Sequence, residues 1–443
     1  MRQPLAWRDP WAVVTALARE LGQDGLVFLD ADGSEFGRHA VLGVTPLEVV
    51  ICRGLAGERG SQDPFAALDR LRSGGGSWLG WLSYEAASWV EPADHWQPSD
   101  MATLRASRHD PLIHFDLHEQ RLWLEGEDPG RLADLSHTLE RVCPPAAEPP
   151  APEPPERQRS EAAGAAIEAQ AWTWHTPPEH FAVQVGLLLE RIAAGDLFQA
   201  NLTACCETEL AAPPDPLALH ARLRRHCPAP FGGVAIAGDE AVVSASPERF
   251  LKLEADGLVE TRPIKGTRPR FADPAADAAS AAALISDPKD RAENVMIVDL
   301  LRNDLGRVCV PGSIEVPQLL GLECYTQVHH LTSVVRARLR PECNVVDLLR
   351  ACWPGGSISG APKVRACRRL DGLEPVPRGP YCGSLFHLGA DGRFDSSILI
   401  RSVMVKGRRL RVHAGGGIVA DSDPAGEAEE MGWKIRPLLE ALA

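Results

Sequence analysis

The sequence predicts an α+β fold with mostly antiparallel β-sheets. Strand-like and helix-like segments occur in runs instead of alternating regularly, which is typical of α+β proteins. The clearest run is a meander of four short strands within residues 233–264, followed by helices predicted at 274–285 and 288–305. No internal repeat is present, so a solenoid or propeller is not expected.

Composition and charge describe an ordinary globular chain. It has 443 residues, 44% hydrophobic and 24% charged, which suffices for a large core or for two to three domains. The net charge is −14 and no long basic cluster or membrane-length apolar stretch occurs, so we expect neither nucleic acid nor a membrane as partner. Eleven cysteines without a CxxC pair, and no signal-peptide pattern, predict reduced thiols, no structural zinc and a cytoplasmic protein.

The sequence of the N-terminal part predicts short strands between helices. Asp9 and Asp63 are each followed by proline, which is typical of a helix start with proline at the first helical position. Predicted strands lie at 26–29, 49–52, 78–83, 112–117 and 122–124, the last two forming a hairpin. A proline-rich run then follows, in which seven of residues 144–155 are proline, a composition that favours an extended connector. We therefore expect an N-terminal subdomain at 1–143, a linker at 144–175 and a larger domain at 176–443.

Beyond the linker, a helix predicted at 176–195 leads into an alternating strand at 197–206. One face of that strand carries Gln199, Asn201 and Thr203, and the other face is apolar. The polar face is expected to line a wet cavity.

The run Thr-Arg-Pro-Ile-Lys-Gly-Thr at 261–267 leaves a lysine at a predicted bend. Pro263 ends the strand-like segment 257–264, and Gly266 lets the backbone bend past a ligand. An ammonium group is not nucleophilic, so Lys265 could attack a carbon only if burial or a neighbouring cation lowered its pKa. The alternative is a solvated lysine at a turn. Glu248 begins a strand whose far end returns to Lys265, so hairpin geometry allows the two side chains to be neighbours.

Two groups of carboxylates are candidates for a metal site. Glu293 lies on the apolar side of its predicted helix, where a carboxylate needs a metal, a cation or a proton; a salt bridge to Arg302 or Arg307 is the alternative. A helix predicted to start at Asp423 places Glu427, Glu430 and Lys434 on one face. Glu293 with Glu430 would suit Mg²⁺, whereas a solvated face with a Glu430–Lys434 pair is the alternative.

Two further features indicate anionic ligands, and a third, which looks similar, does not. Gly415, Gly416 and Gly417 can bring backbone N–H groups against an anion. Arg401 lies in a strand predicted at 397–404, where a buried guanidinium needs a carboxylate. The glycine-rich run at 354–363 fails as a phosphate loop because Lys363 does not directly follow its second glycine, so a nucleotide site is not expected.

Taken together, these motifs resemble the chorismate-utilising enzymes, which include anthranilate synthase large subunits, aminodeoxychorismate synthase component I, isochorismate synthases and salicylate synthases. The matching segments run in family order: SPERF at 246–250, TRPIKGT at 261–267, DRAENVMIVDLLRNDLGRV at 290–308, PGGSISGAPK at 354–363, YCGSLFHLGADGRFDSSILIRS at 381–402 and AGGGIVADSDP at 414–424. The resemblance implies two large, mostly antiparallel β-sheets packed together with helices outside. It also makes 1–143 a subdomain like that of anthranilate synthase component I, and 176–443 the chorismate-binding catalytic domain.

The resemblance also implies roles for individual residues. Lys265 is implied as the nucleophile and Glu248 as the general acid that helps the C4 hydroxyl leave. Mg²⁺ is implied as cofactor, with Glu293 and Glu430 as ligands and Glu427 beside them. The implied substrate-binding residues are Gly266, Thr267, Tyr381, Arg401, Gly415, Gly416, Gly417 and Lys434, of which Tyr381 and Arg401 would hold the enolpyruvyl carboxylate.

Two positions discriminate among the family members. Anthranilate synthases carry alanine where Lys265 stands, and isochorismate and salicylate synthases place a water-activating lysine at the position of Gln199. The resemblance therefore implies amination of chorismate at C4, through attack of Lys265 on C2, to give 4-amino-4-deoxychorismate for 4-aminobenzoate and folate synthesis. No glutaminase-like segment is visible, so a separate glutamine amidotransferase is expected to supply ammonia. The alternatives are anthranilate synthase component I and a non-catalytic chorismate-binding subunit.

Overall fold

A computed structural model describes residues 1–145, 171–325 and 328–443 of the chain. Most of the predicted linker 144–175 falls on 146–170 and therefore lies outside the described residues. The described part consists of two large antiparallel β-sheets with helices packed against them, so the predicted fold class is confirmed.

The strands and helices are numbered in chain order. The strands are β1 (Arg2–Leu5), β2 (Val27–Leu29), β3 (His39–Gly43), β4 (Glu48–Cys52), β5 (Ser77–Leu82), β6 (Leu104–His109), β7 (Leu112–Asp116), β8 (Arg121–Glu125), β9 (Thr173–Trp174), β10 (Gln199–Glu209), β11 (Gly233–Ala237), β12 (Glu240–Ser244), β13 (Arg249–Leu253), β14 (Leu258–Thr261), β15 (Ile264–Pro269), β16 (Glu315–Cys324), β17 (Val328–Arg338), β18 (Gly360–Ala361), β19 (Ser384–Leu388), β20 (Phe394–Ile398), β21 (Ser402–Lys406) and β22 (Arg409–Ile418). The α-helices are α1 (Pro10–Leu21), α2 (Pro64–Gly74), α3 (Pro129–Val142), α4 (Pro178–Ala193), α5 (Pro216–His226), α6 (Pro274–Ser286), α7 (Pro288–Gly306), α8 (Val345–Cys352), α9 (Lys363–Asp371) and α10 (Pro424–Leu442).

Both sheets combine strands from the two sides of the linker. The larger sheet has the order β1-β8-β7-β3-β2-β11-β12-β21-β22-β10-β18, with β9 also on β10. The other has the order β15-β17-β14-β13-β20-β19-β5-β6-β4, with β16 also on β17. N-terminal β2 pairs with β11, and N-terminal β5 pairs with β19. The subdomain boundaries proposed from the sequence remain a prediction.

The two sheets pack against each other through one apolar core, and most helices pack around a second. The core between the sheets includes Trp81, Leu385, Val242 and Met404, which come from both sheets. On its other face the larger sheet is covered by α1, α3, α4, α5 and α10 through the second core. Helices α6 and α7 contact β15 and β17 of the other sheet.

An aspartate followed by proline begins many of the helices. Asp9, Asp63 and Asp423 each accept a hydrogen bond from a backbone N–H of the first turn, as predicted. Such a cap contributes about 1 kcal/mol to helix stability. The same start recurs at Asp128, Asp215, Asp273 and Asp287.

The structure corrects two strand assignments near the candidate site. The strand predicted at 257–264 ends at Thr261, and the chain pairs again with β17 from Ile264, after Pro263. Lys265 and Gly266 lie at an irregularity within β15, where the register with β17 shifts between Ile264 and Thr267. Arg401 was predicted within a strand but lies between β20 and β21, with a φ of 50°. The physical reason is that β20 and β21 belong to different sheets, so the chain turns from one sheet to the other at this point.

The remaining composition-based expectations concern thiols and membranes. All eleven cysteines are free. None of the described helices is both long and apolar enough to cross a membrane.

Buried His109 should make stability depend on pH. Its side chain is 1% exposed, and burial lowers its pKa to about 4, against about 6.5 in an unfolded chain. Between these values the unfolded chain binds a proton that the folded chain does not, so the free energy of unfolding falls as pH falls from about 6.5 to about 4, by roughly 3 kcal/mol in total. Urea unfolding at several pH values should show a shallower decline in the His109→Gln variant.

The matched control for this prediction is His180→Gln, since His180 is an exposed histidine on α4. This control should keep the pH dependence of the wild-type protein. Parallel curves for wild type and His109→Gln would contradict the prediction.

Candidate active site

Several predicted site residues converge over the glycine-rich part of β22. In the larger sheet β22 pairs with β10, so that Gly417 lies opposite Asn201. A Cβ atom placed on Gly417 would lie 3.0 Å from Glu293 Oε2 and 3.2 Å from Lys265 Nζ. Glycine at this position therefore leaves room in front of the lysine and the carboxylate.

Lys265 is held out of solvent and is surrounded by oxygen atoms. Its side chain is 12% exposed, and its Nζ lies 3.7 Å from Glu293 Oε2. Nζ also donates a hydrogen bond to the carbonyl oxygen of Ser357 at 3.3 Å. The solvated lysine considered from the sequence is thus excluded, and a buried amine faces the space over Gly417.

Glu248 lies beside this amine, as the predicted hairpin geometry allowed. It is 5% exposed, and burial raises its pKa to about 7, against the opposing effects of the nearby Ser357 side chain and of Lys265. A carboxyl group that titrates near neutral pH can donate or accept a proton during a reaction.

Glu293 is buried on α7, as predicted, but its partners differ from the expected arginines. Lys289 lies 3.9 Å from its Oε1, on the side away from Lys265. Burial is the main cause that raises the pKa of Glu293, and both lysines oppose the shift. The expected arginines are engaged elsewhere, since Arg302 pairs with Asp299 and Arg307 donates to Ala351 O.

The other two carboxylates project from α10 toward the same glycine run. Glu427 Oε1 accepts hydrogen bonds from Lys289 Nζ and Ser422 Oγ, both at 2.6 Å. Glu430 pairs with Lys434 at 2.7 Å, and the charge of Lys434 is the first cause that lowers the pKa of Glu430. Lys434 also donates to the carbonyl oxygen of Gly415 at 2.9 Å.

A second open space lies over Gly416. A Cβ atom on this glycine would lie 3.3 Å from Glu427 Oε2, 3.5 Å from Lys434 Nζ and 3.7 Å from Glu430 Oε1. Carboxylate oxygens are the donors that Mg²⁺ prefers, so Glu293, Glu427 and Glu430 fit this ion by donor type. As the described residues are placed, no three possible ligands form a group that could hold a metal. Lys289 and Lys434 each pair with one of these carboxylates.

Arg401 and Tyr381 lie on neighbouring backbone segments. A hydrogen bond from Cys382 N to Leu399 O at 2.8 Å ties the two segments together. Burial lowers the pKa of Arg401, and within the described part of the chain its guanidinium makes no ion pair or hydrogen bond. Tyr381 is buried and stacks on His413 at 4.9 Å. A desolvated guanidinium without an anion suits an anionic ligand.

Gly266 and Thr267 follow Lys265 on β15. Gly266 has a φ of +86°, and a Cβ there would lie 2.8 Å from Leu284 Cδ1 and 2.9 Å from Asp290 Cγ. Only glycine therefore lets β15 run this close to α6 and α7. Thr267 Oγ1 is 2.8 Å from His330 Nδ1, and burial lowers the pKa of His330 to about 3.

The predicted polar face of β10 is confirmed, and it adds a buried amide to the site. Gln199, Asn201 and Thr203 are all buried. Gln199 Oε1 has no hydrogen-bond partner among the described residues, and its Nε2 lies over Gly417 beside Lys265 and Glu293. A small polar ligand could therefore hydrogen bond to this amide.

Sequence reasoning missed three residues that shape the site. Ser357 lies in the glycine-rich run that failed as a phosphate loop, and no role was predicted for it, although its carbonyl contacts Lys265. Lys289 joins Glu293 to Glu427, and its spacing of four residues from Glu293 could have revealed it. Arg378 is 2% exposed and donates to Ile358 O and Asn201 O, each at 2.7 Å; no local pattern indicated this contact.

Comparison with known proteins places this arrangement in a family. The family model described as chorismate binding enzyme matches residues 45–440. Aminodeoxychorismate synthase component 1 of Salmonella typhimurium is 48% identical over 249 residues, which cover 56% of this chain and 54% of the relative. The chain thus spans about half the length of this curated relative.

Two further relatives match more of the chain. Anthranilate synthase component 1 of Streptomyces coelicolor is 39% identical over 380 residues, which cover 83% of this chain and 73% of the relative. The crystal structure of anthranilate synthase component I from Streptococcus pneumoniae superposes with a TM-score of 0.75 at 30% identity, covering 91% of this chain and 92% of that one. From the two sheets, the site over the glycine run and these matches, we conclude that the chain belongs to the chorismate binding enzyme family.

Proposed function

We propose that the chain is an enzyme that aminates chorismate at C4, giving 4-amino-4-deoxychorismate for 4-aminobenzoate and folate synthesis. The observation that carries this proposal is the buried Lys265 amine, which lies between the Ser357 carbonyl and Glu293 with Glu248 beside it. The proposed reaction uses the amine of a lysine at this position. The family resemblance assigns alanine to the same position in anthranilate synthases, so the lysine favours amination at C4. The similarity to aminodeoxychorismate synthase component 1 supports the same reaction.

The proposed reaction has two displacement steps. In the first, the free amine of Lys265 forms a bond to C2 of chorismate, and the C4 hydroxyl leaves as water with a proton from Glu248. In the second, ammonia forms a bond to C4, and the Lys265 amine leaves C2. The pKa of Glu248, raised to about 7, keeps part of this carboxyl protonated at neutral pH, as a proton donor requires.

The remaining residues would bind and orient the substrate. Arg401 offers an unpaired guanidinium to the enolpyruvyl carboxylate, with Tyr381 on the adjacent segment. Lys434 and the backbone of Gly415, Gly416 and Gly417 border the space in which the ring carboxylate would lie. Gly266 and Thr267 line the same space beside Lys265. Binding in this space would exclude water from the amine and hold C2 near it.

A bound Mg²⁺ would be held by Glu293, Glu430 and Glu427, and it would anchor the ring carboxylate and draw electron density from the ring. Lys289 and Lys434 pair with the Glu427 and Glu430 carboxylates and hold these acids in place.

Ammonia is proposed to come from a glutamine amidotransferase subunit. The relatives named as component 1 imply a partner component, and the mechanism above consumes ammonia without producing it. Free ammonia at raised pH should replace the partner, with lower efficiency.

Anthranilate synthase is the second candidate function. It is favoured by the greater coverage of the Streptomyces coelicolor relative, 83% of this chain against 56% for the Salmonella typhimurium one. The two reactions differ in product, because anthranilate is formed with loss of the enolpyruvyl group.

Identification of the product tests the proposed function. Chorismate incubated with the enzyme, Mg²⁺ and an ammonium salt should give a compound in which an amino group replaces one hydroxyl and the enolpyruvyl group is kept. Mass spectrometry detects this product. Glutamine in place of the ammonium salt should give none in the absence of a partner, and fluorescent anthranilate with pyruvate would overturn the proposal.

Removal of the metal tests the proposed ligands. A chelator should abolish product formation, and Glu293→Ala should raise the Mg²⁺ concentration that gives half-maximal rate by roughly tenfold or more. Glu429→Ala is the matched control, because Glu429 is exposed on α10 between two proposed ligands, and its metal requirement should not change. Full activity in the presence of chelator would contradict the metal assignment.

A further inference from the structure

The segment 353–362, between α8 and α9, contacts both groups that are proposed to react. The carbonyl oxygen of Ser357 accepts a hydrogen bond from Lys265 Nζ at 3.3 Å. The Ser357 side chain lies close enough to the Glu248 carboxyl to oppose the rise in its pKa. The position of this segment therefore sets where the amine and the carboxyl lie relative to each other.

A buried lysine joins the two ends of this segment. Lys363 is the first residue of α9, and Cys352 is the last residue of α8. Lys363 Nζ donates to the carbonyl oxygen of Cys352 at 3.0 Å and to Asp304 Oδ2 at 2.6 Å. The side chains of Lys363 and Asp304 are 14% and 5% exposed. One ammonium group thus closes the segment into a loop and ties it to a third element.

That third element is α7, the helix that carries Glu293. Asp304 lies eleven residues beyond Glu293 on this helix, about 16 Å along its axis. The loop also contacts α7 directly, since a Cβ on Gly356 would lie 2.9 Å from Leu300 Cδ2. The Lys363–Asp304 pair therefore ties the ends of the segment with Ser357 to the helix with Glu293, while β18 within the segment pairs with β10.

Stability alone does not explain the buried Lys363–Asp304 ion pair. Two buried charges are costly to desolvate, and an apolar pair of similar size often stabilises a protein equally well. An apolar pair, however, makes no directional bonds. The ammonium binds the carbonyl at the C-terminal end of α8, where a helix favours a cation, and the carboxylate on α7 at the same time.

We infer that Lys363 is a positioning residue for the proposed reaction, which acts by fixing the loop that places Ser357 against Lys265 and Glu248. This inference rests on the proposed function for the roles of Lys265 and Glu248. Lys363 does not contact the reacting groups, so its effect should appear in the rate of reaction more than in substrate affinity.

Steady-state kinetics of chorismate consumption tests this role. Lys363→Met should lower kcat by about 100-fold, as displacement of a catalytic group by about 1 Å does, and should change KM by less than about threefold. Lys363→Arg should recover kcat to within about tenfold of wild type, because a guanidinium can still bind the Asp304 carboxylate. Arg302→Met is the matched control, since Arg302 forms an exposed pair with Asp299 on the same helix, and its kinetics should equal wild type.

A second variant separates positioning from folding. Lys363→Met leaves Asp304 buried without a partner, which destabilises a protein, so Lys363→Met combined with Asp304→Asn removes both charges. This double variant should unfold in a thermal transition, as a folded protein does. It should lose as much kcat as Lys363→Met. A kcat within threefold of wild type in the folded double variant, or a rise in KM without a loss of kcat, would overturn the inference.

The two hypotheses can fail separately. Chorismate consumption is measured without reference to the product, so anthranilate as the product would overturn the proposed function while the loss of kcat still tests Lys363. An aminated product with unchanged kcat in the variants would overturn the role of Lys363 alone.

Discussion

The site depends on the charge balance around a buried amine. Lys265 is removed from water and lies 3.7 Å from Glu293, and two further lysines, Lys289 and Lys434, each pair with an acid of α10 at 2.6 and 2.7 Å. Three lysine side chains therefore lie against the three acids that are proposed to hold the metal ion. Each of these lysines already lies beside an acid, so a dicarboxylate ligand such as chorismate would add negative charge without a free lysine to balance it, which supports the proposal that a divalent cation binds together with the substrate.

The fold brings these charges together from distant parts of the chain. The larger sheet supplies β10 and β22, the other sheet supplies β15, and α7 and α10 supply the acids. Arg401 lies where the chain passes from one sheet to the other, which explains how a charged side chain occurs within an apolar stretch of sequence. Glycine at 416 and 417 keeps the backbone of β22 free of side chains that would fill the space between the acids and the lysines.

Local features could be predicted from the sequence, and contacts between distant segments could not. The aspartate–proline helix starts and the polar face of β10 depend on adjacent or alternating residues, and the structure contains both. Lys265 was predicted at a bend, but Pro263 interrupts one strand without showing that the chain pairs again with β17, so that Lys265 and Gly266 lie at a register irregularity within β15. The partners of Glu293 were misassigned for the same reason, since Lys265 is distant in sequence and only Lys289 lies on the same helix. The expected role of Tyr381 came from the resemblance to a family, because no spacing in the sequence points to it.

The central claim is that the Lys265 amine itself bonds to the substrate. With chorismate and Mg²⁺ present and ammonia absent, the second displacement cannot occur, so the bond between Lys265 and C2 should accumulate. The most direct measurement is the mass of the intact protein after rapid acid quenching, followed by peptide mapping. The account predicts a gain equal to chorismate less one water, located on the peptide with Lys265 and missing from the Lys265→Ala variant. An unchanged mass in an enzyme that aminates chorismate when ammonia is added, or aminated product formed by Lys265→Ala at the wild-type rate, would contradict it.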